Sequence, residues 1–589
     1  MIKKLGRAFS EGLEIHRFKP RKINLTNDVE EEQIGKKNRL SNVFLLLLLI
    51  LVLGVLSLRL FQLTVLLGQR NREISDNNRI KLNIIKAPRG VIYDRNKEPL
   101  TRNSALYKKV TKDGSLEPIG REEALKMIAQ GNTSLNTQPT REYIYATESA
   151  HVLGYLSEIN KDELEELKKL GNVDYKIGDR VGRLGVEESA ENILRGIDGK
   201  ELIETDALGL VTKEIGNQEP ISGRDVMTTL DLKMQKLMAK YFPGGQKGAV
   251  VALNPQTGEV LGMFSSPSFD PNLFGEIYTN GKDLKKKRTE LAKVLTDKDS
   301  PLFNRSIGGI YPSGSTFKIV TSAAGLESGK INKETEIEDI GEIVIGPFRF
   351  PNWYFLQYGR KEGMVNVIKA LQRSNDIFFY KVGEMVGLEG IVSMAKKFGL
   401  GEKTGIDLPQ ESTGLIPDES WKKNFIGEGW YLGDTYHLAI GQGYLLTTPL
   451  QVALMTSVVA GNGYLCQPHV LLKEGVNNYC REIGLKQETL QAIKEGMKLA
   501  CTSGGTGWPF FEFFVKNASA SARKMEVGCK TGTAEFGDPK DRTHAWFTVF
   551  APFNNPQVVL TVLVEGAGEG SNVAAPIAKN ILGEWLGGM

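Results

Sequence analysis

Three short stretches carry side chains that could perform acyl transfer. The first is Tyr311-Pro312-Ser313-Gly314-Ser315-Thr316-Phe317-Lys318. Pro312 and Gly314 break the chain, and a helix-compatible run starts at Thr316, placing Ser315 at a helix start where free N–H groups favour negative charge. Lys318 follows three residues later, one turn on, so its amine can face the Ser315 hydroxyl as an activating base. Taken alone, Ser315 reads equally well as an N-cap serine. Ser-x-x-Lys also occurs at Ser393–Lys396, Ser420–Lys423 and Ser521–Lys524, so the pattern by itself selects nothing.

The second stretch is Ser374-Asn375-Asp376, directly before a helix-like run from Ile377. It offers a second hydroxyl with a carboxylate two residues away, suited to passing a proton to a leaving amine, or else an ordinary helix cap. The third is Lys530-Thr531-Gly532-Thr533 on an expected strand. A cation, two hydroxyls and a glycine that admits close backbone approach suit the capture of a substrate carboxylate. The N–H groups of Thr533 and Ser315 would make an oxyanion hole. Lys403-Thr404-Gly405 repeats the triplet but runs into Ile406-Asp407-Leu408-Pro409, a loop, so Lys530 is the better candidate.

The elements that must position these groups are spread along 589 residues, too many for one core. A net charge of +4 with no long basic run gives no support for nucleic-acid binding. The five histidines form no H-E-x-x-H pattern, and neither a metal nor a cofactor is indicated. Four cysteines, Cys466, Cys480, Cys501 and Cys529, allow three complete pairings, and spacing does not choose among them.

Residues 1–39 form a polar tail. Leu40–Leu58 is free of charge, and after Arg59 a second uncharged run reaches Gly68. This is long enough to cross a bilayer, and 40–68 is read as a transmembrane anchor. Lys36, Lys37 and Arg39 place the N-terminus inside the cell, and the absence of alanine between Ser41 and Lys86 argues against a cleaved signal. Residues 69–224 read as an α+β pedestal, with strand-like Ile80–Ile85, Gly90–Tyr93 and Glu201–Thr205 and helix-like Glu122–Ala129 and Lys161–Lys169. Arg89-Gly90 and Gly182-Arg183-Leu184-Gly185 lack the spacing of a phosphate loop and are read as turns. From 225 onward, strands are expected at Val226–Leu230, Ala249–Leu253, Val260–Phe264, Glu526–Thr531, Ala545–Ala551 and Val558–Glu565. Helices lie between them and a last one closes the chain, so one sheet is assembled from distant segments of a single α+β domain. The aromatic run Trp508–Phe514 is read as core rather than as groove lining or lipid contact.

The order Ser-x-x-Lys, Ser-x-Asp, Lys-Thr-Gly is that of penicillin-binding proteins and class A β-lactamases. The sequence resembles a class B penicillin-binding protein, a membrane-anchored D,D-transpeptidase of peptidoglycan synthesis, and most closely the elongation-type branch. Ala87–Arg95, Ala150–Tyr155, Gly182–Glu187, Gly441-Gln442-Gly443, Thr448–Gln451, Gly504-Gly505-Thr506 and His544–Phe547 carry that resemblance beside the three motifs. It implies an anchor, a pedestal or dimerisation-type region, and over 225–589 a transpeptidase domain with a five-stranded antiparallel sheet. It implies Ser315 as nucleophile, Lys318 as base, Ser374 and Asp376 as proton relay, and Lys530, Thr531, Gly532 and Thr533 as the substrate cradle. Stem peptides, β-lactams and a polytopic membrane glycosyltransferase are the implied partners. A division-type transpeptidase, and a carboxypeptidase or β-lactamase-like hydrolase using the same site, are the alternatives. Departures are Asp376 where many relatives carry Asn, Ser313 where a second proline is usual, Cys529 where Gly or Ala is usual, and a short stretch from Ser104 to Thr140.

Overall fold

The computed structural model describes residues 31–111, 116–131, 135–169, 175–205, 211–275, 281–472, 480–516 and 522–587. Its contacts separate into two units, one of residues 1–81 with 202–214 and one of 82–201 with 215–589.

The first unit carries the apolar segment. A helix covers Glu31–Phe61, a π turn covers Gln62–Leu66, and a polar helix covers Gly68–Arg79. Within them Ser41–Leu66 is a 26-residue apolar stretch with no buried residue. At ~1.5 Å rise per residue it exceeds the ~30 Å hydrocarbon thickness, so one N-terminal helix fits a single-pass membrane anchor. Arg59 does not interrupt it, because its guanidinium donates to Gln62 Oε1 one turn on, at 2.7 Å.

In the second unit, residues 101–143 build a small layer. Thr101–Val110 pairs antiparallel with both Leu116–Ile119 and Leu135–Tyr143. Helix Arg121–Ala129 places Ala124 and Met127 against Ile119. Short as it is, the Ser104–Thr140 stretch thus forms a three-stranded sheet with its own helix. The turn reading of the nearby glycines is corrected: Gly182 lies in the strand Arg180–Arg183 and Gly90 in irregular backbone. Close packing calls for glycine at both, since a Cβ on Gly90 would stand 1.9 Å from the Arg224 carbonyl and one on Gly182 would stand 2.0 Å from that of Glu187.

The large sheet is built from β1 (Gly248–Leu253), β2 (Val260–Ser266), β3 (Gly528–Glu535), β4 (Thr543–Ala551) and β5 (Val558–Val564). The order is β2-β1-β5-β4-β3 with every neighbour antiparallel, so β3 is an edge strand. The expected strand Val226–Leu230 shrinks to Val226–Met227, which pairs with Ile92–Tyr93 outside this sheet. Beyond it Leu230 and Asp231 turn into a helix that Asp231 caps by accepting from Met234 N at 2.9 Å.

Both faces of the sheet are covered, which explains why its strands are apolar rather than alternating. One face packs against α1 (Leu232–Tyr241) and the C-terminal helix through Met238, Phe547, Val562, Ile581 and Trp585. The other meets a helical layer of α2 (Lys318–Glu327), α3 (Val367–Arg373), α4 (Asp376–Lys397), α5 (Leu432–Ala439), α6 (Pro449–Ala460) and α7 (Gln487–Ala500). Every residue of α6 is buried. Its start is fixed by a capping box in which Thr448 Oγ1 accepts from Gln451 N while Gln451 Oε1 accepts from Thr448 N. Helix α4 is two helices meeting at Gly387, whose φ of 75° is left-handed. The aromatic run divides: Phe510 and Phe513 are core, with Phe510 stacked on Phe547 and Phe513 tilted against Phe510, whereas Trp508 and Phe514 are half exposed. The cysteines pair as Cys466–Cys480 and Cys501–Cys529. The second pair ties the end of α7 to β3.

Candidate active site

Ser315 lies in a 3-10 turn, Gly314–Phe317, that runs directly into α2. Gly314 makes this turn possible. Its φ is 53°, its N–H donates to the Gly441 carbonyl at 2.8 Å, and a Cβ there would stand 2.7 Å from the Thr533 oxygen. Trp546, fully buried on β4, donates its indole N–H to the Pro312 carbonyl at 2.9 Å and holds the approach to the turn. Ser315 is half-buried, and its Oγ has no hydrogen-bond partner among the described residues.

Lys318 opens α2 and is fully buried. Its Nζ donates to Asp376 Oδ1 at 2.6 Å, to the Ser374 carbonyl at 2.8 Å and, weakly, to Ser374 Oγ at 3.4 Å. The sequence expectation that this amine faces Ser315 Oγ is therefore modified: it is drawn toward the Ser374 motif. Ser374 ends α3 in the left-handed conformation (φ 54°), which turns its hydroxyl back into the site. Asn375 caps α4 by accepting from Phe378 N at 2.9 Å, leaving Asp376 in the first turn of that helix. Asp376 Oδ2 accepts from Trp353 N at 2.9 Å.

Lys530, fully buried on β3, reaches the same serine: its Nζ donates to Ser374 Oγ at 2.8 Å and to the Thr531 carbonyl at 3.0 Å. Ser374 Oγ thus sits between two amines. A hydroxyl there can accept from one and donate to the other only when one amine is neutral. Burial depresses the pKa of Lys318 further than the adjacent Asp376 carboxylate raises it. Burial lowers that of Lys530 well below the usual lysine range, and repulsion from Lys318 adds to the effect. Two lysines share one carboxylate in a dry pocket, and loss of a proton relieves them.

Thr531 donates to Thr506 Oγ1 at 2.7 Å, bringing the Gly504-Gly505-Thr506 segment beside β3. Gly532 faces Ser313 and Thr316, where an added Cβ would meet the Thr316 methyl and the Ser313 oxygen at 3.0 and 3.1 Å. Thr533 is exposed, and its carbonyl accepts from Gln442 Nε2 at 3.3 Å rather than from β4. In an antiparallel strand the N–H of the same residue points the same way, so Thr533 offers its N–H on the open edge beside Ser315. All eight residues singled out in sequence therefore line one site.

The repeats do not join it. Ser393 and Lys396 are exposed on α4, Ser420 and Lys423 are exposed on a separate helix, and Ser521 lies outside the described residues. Thr404 and Gly405 are held in a loop by Glu411. Sequence reasoning missed Asn352 and Trp353, which hold Asp376, because nothing in their local pattern marks them.

Comparison with known proteins agrees with this arrangement. Residues 248–583 match the penicillin binding protein transpeptidase domain, and 122–228 match the penicillin-binding protein dimerisation domain. The chain is 31% identical to peptidoglycan D,D-transpeptidase MrdA of Salmonella typhimurium, covering 90% of this chain and 93% of that one. It is 30% identical to the MrdA of Escherichia coli K12, over 89% and 90%. Among solved structures, PBP2 of Helicobacter pylori in complex with MreC superposes with a TM-score of 0.70 at 26% identity, over 86% of this chain and 99% of that one. A chain from a peptidoglycan synthase complex that coordinates polymerization and crosslinking gives 0.71 at 30% identity, over 93% and 98%. With this site on this fold, the chain belongs to the class B penicillin-binding proteins, in their elongation-type branch of peptidoglycan D,D-transpeptidases.

Proposed function

We propose that the chain crosslinks peptidoglycan stem peptides through an acyl-enzyme on Ser315. The observation that carries this reading is the convergence of an unpartnered Ser315 hydroxyl, two pKa-depressed lysines and the Ser374 hydroxyl between them. Lys318 in its neutral form takes the Ser315 proton as Oγ attacks the carbonyl carbon of the penultimate D-Ala. The resulting oxyanion accepts from the N–H groups of Ser315 and Thr533. As the carbon–nitrogen bond breaks, Ser374 passes a proton to the departing D-Ala amine, with Asp376 orienting the relay. Lys530, Thr531 and Thr533 hold the terminal carboxylate, and Gly532 lets the peptide lie against the edge of β3. The amine of a second stem peptide then attacks the ester, forming the crosslink and returning the proton to Ser315. β-Lactams acylate the same oxygen.

The chain divides into a tail (1–39), an anchor (40–68), a pedestal (69–224) and the catalytic domain (225–589). The N-terminus faces the cytoplasm and the catalytic domain lies outside it, as the basic residues before the anchor and the two disulfides both favour. Glycan strands come from a separate polytopic membrane glycosyltransferase of the elongation system. The deciding experiment is labelling of the detergent-solubilised protein with fluorescent penicillin. Ser315→Ala abolishes labelling and Ser393→Ala leaves it intact, whereas the converse pattern would remove Ser315 from the mechanism.

A further inference from the structure

Asp339 lies beneath the relay, at the end of a short strand (Ile337–Asp339), with 1% of its surface exposed. No lysine or arginine pairs with it among the described residues. Four N–H donors converge on its carboxylate instead. Gly341 N donates to Oδ1 at 2.8 Å, while Asn352 Nδ2, Asn375 Nδ2 and Glu362 N donate to Oδ2 at 2.8, 3.0 and 3.0 Å. Carboxylate oxygens serve here only as acceptors, one N–H meeting Oδ1 and three meeting Oδ2.

Two of those donors belong to amides whose other ends hold the relay. With Asn352 Nδ2 turned to Asp339, its Oδ1 accepts from Asp376 N at 3.1 Å. With Asn375 Nδ2 turned the same way, its Oδ1 accepts from Phe378 N and caps α4. Asn352 is also the neighbour of Trp353, whose N–H occupies Asp376 Oδ2 and leaves Oδ1 for Lys318. One carboxylate therefore fixes the orientation of two buried amides, and these fix the backbone and side chain of Asp376. An alanine at 339 removes the acceptor that both Nδ2 groups share, so either amide is free to turn over and release its end of the relay.

We infer that Asp339 and Asn352 are positioning residues for the reaction: they set where Ser374 and Asp376 stand relative to Lys318. The inference rests on the proposed role of Ser315 and its relay. Its test measures acylation of the full-length, detergent-solubilised protein by fluorescent penicillin, recording both the rate constant per labelled site and the stoichiometry at saturation. Asp339→Ala and Asn352→Ala lower the rate constant by about 10- to 100-fold, the scale of a small misplacement of reacting groups. Stoichiometry remains that of the unaltered protein. An unchanged rate constant, or a loss confined to stoichiometry, would make the cluster purely structural and overturn the inference. If Asp339→Ala fails to fold, Asn352→Ala decides alone, since it keeps the carboxylate and removes the amide that joins it to Asp376. Ser315→Ala run in parallel separates the two failures: labelling that persists there defeats the underlying reading, whereas silent Ser315→Ala with unaffected Asp339→Ala and Asn352→Ala defeats this inference only.

Discussion

Two buried ionic clusters in the same chain are built to opposite ends. In the pedestal, Arg89 donates to Glu187 Oε2 at 2.6 Å and to Glu191 Oε2 at 2.5 Å, while Arg141 donates to Glu187 Oε1 at 2.7 Å. Two guanidiniums face two carboxylates, and each bond is charge-assisted. Burial pushes the Glu187 carboxyl up, but Arg141 and Arg89 outweigh it and hold the pKa below the usual value. The Arg89 pKa is raised despite its own burial, by Glu187 and Glu191. In the catalytic cleft, two lysines face one carboxylate, and both pKa values are depressed. The pedestal uses arginine, which stays charged, and completes its pairing; the cleft uses lysine, which can give up its proton, and leaves the pairing incomplete. Neutralisation marks the first cluster as structural, and its shortfall marks the second as reactive.

Removing one member from each cluster should therefore produce different kinds of damage. The largest effect is on chemistry. Lys318→Met removes the proposed base while conserving length and apolar bulk, and should lower the acylation rate constant about 10²- to 10⁴-fold. The thermal midpoint should hold or rise, because a buried amine is gone. Single-turnover labelling alongside a melting curve measures both, and a midpoint collapse with an intact rate constant would reverse the assignment of the two clusters. Next comes Glu187→Gln, which leaves Arg89 and Arg141 short of a buried partner. It should cost about 3–5 kcal/mol of stability. Chemical denaturation reads this directly, and the acylation rate per folded site should not move.

How legible each cluster was in the sequence follows from how local its logic is. Ser315, Lys318, Ser374 and Lys530 were readable because each sits in a short string whose chemistry is evident, and because the strings occur in a fixed order. Asp339 and Asn352 were not, since an Asp before Ile340-Gly341 looks like a turn residue until the fold brings α4 onto it. The pedestal pairing was equally hidden, because Arg89 and Glu187 stand 98 positions apart. Strand Thr101–Val110 offers no alternation to detect, because it buries only Thr101 and Leu106 and carries consecutive polar side chains at Arg102-Asn103-Ser104 and Lys108-Lys109. The sheet of the catalytic domain was legible for the opposite reason. Its strands are covered on both faces, so Val558–Val564 and Thr543–Ala551 read as apolar runs. The cysteine pairing was beyond spacing, because it depends on α7 ending against β3.

The smallest expected effect is also the most direct probe of the incomplete pairing. The proposed mechanism requires Lys318 neutral, so the rate constant should rise with pH as that amine loses its proton, along a limb whose midpoint lies below the usual lysine value. Asp376 works against this. Its negative charge favours protonated Lys318 and holds the midpoint higher than burial alone would leave it. Asp376→Asn removes the charge while retaining a side chain that can still accept from Trp353 N. Lys318 then loses its proton more readily, and the limb should shift toward lower pH. The plateau should change by less than about tenfold, the scale of one retained or lost hydrogen bond to a charged group. Acylation rate constants followed across the pH range for both proteins test this. A limb that stays in place or moves to higher pH would mean that Asp376 does not set the protonation of Lys318, and the contrast with the fully paired pedestal would then rest on burial alone.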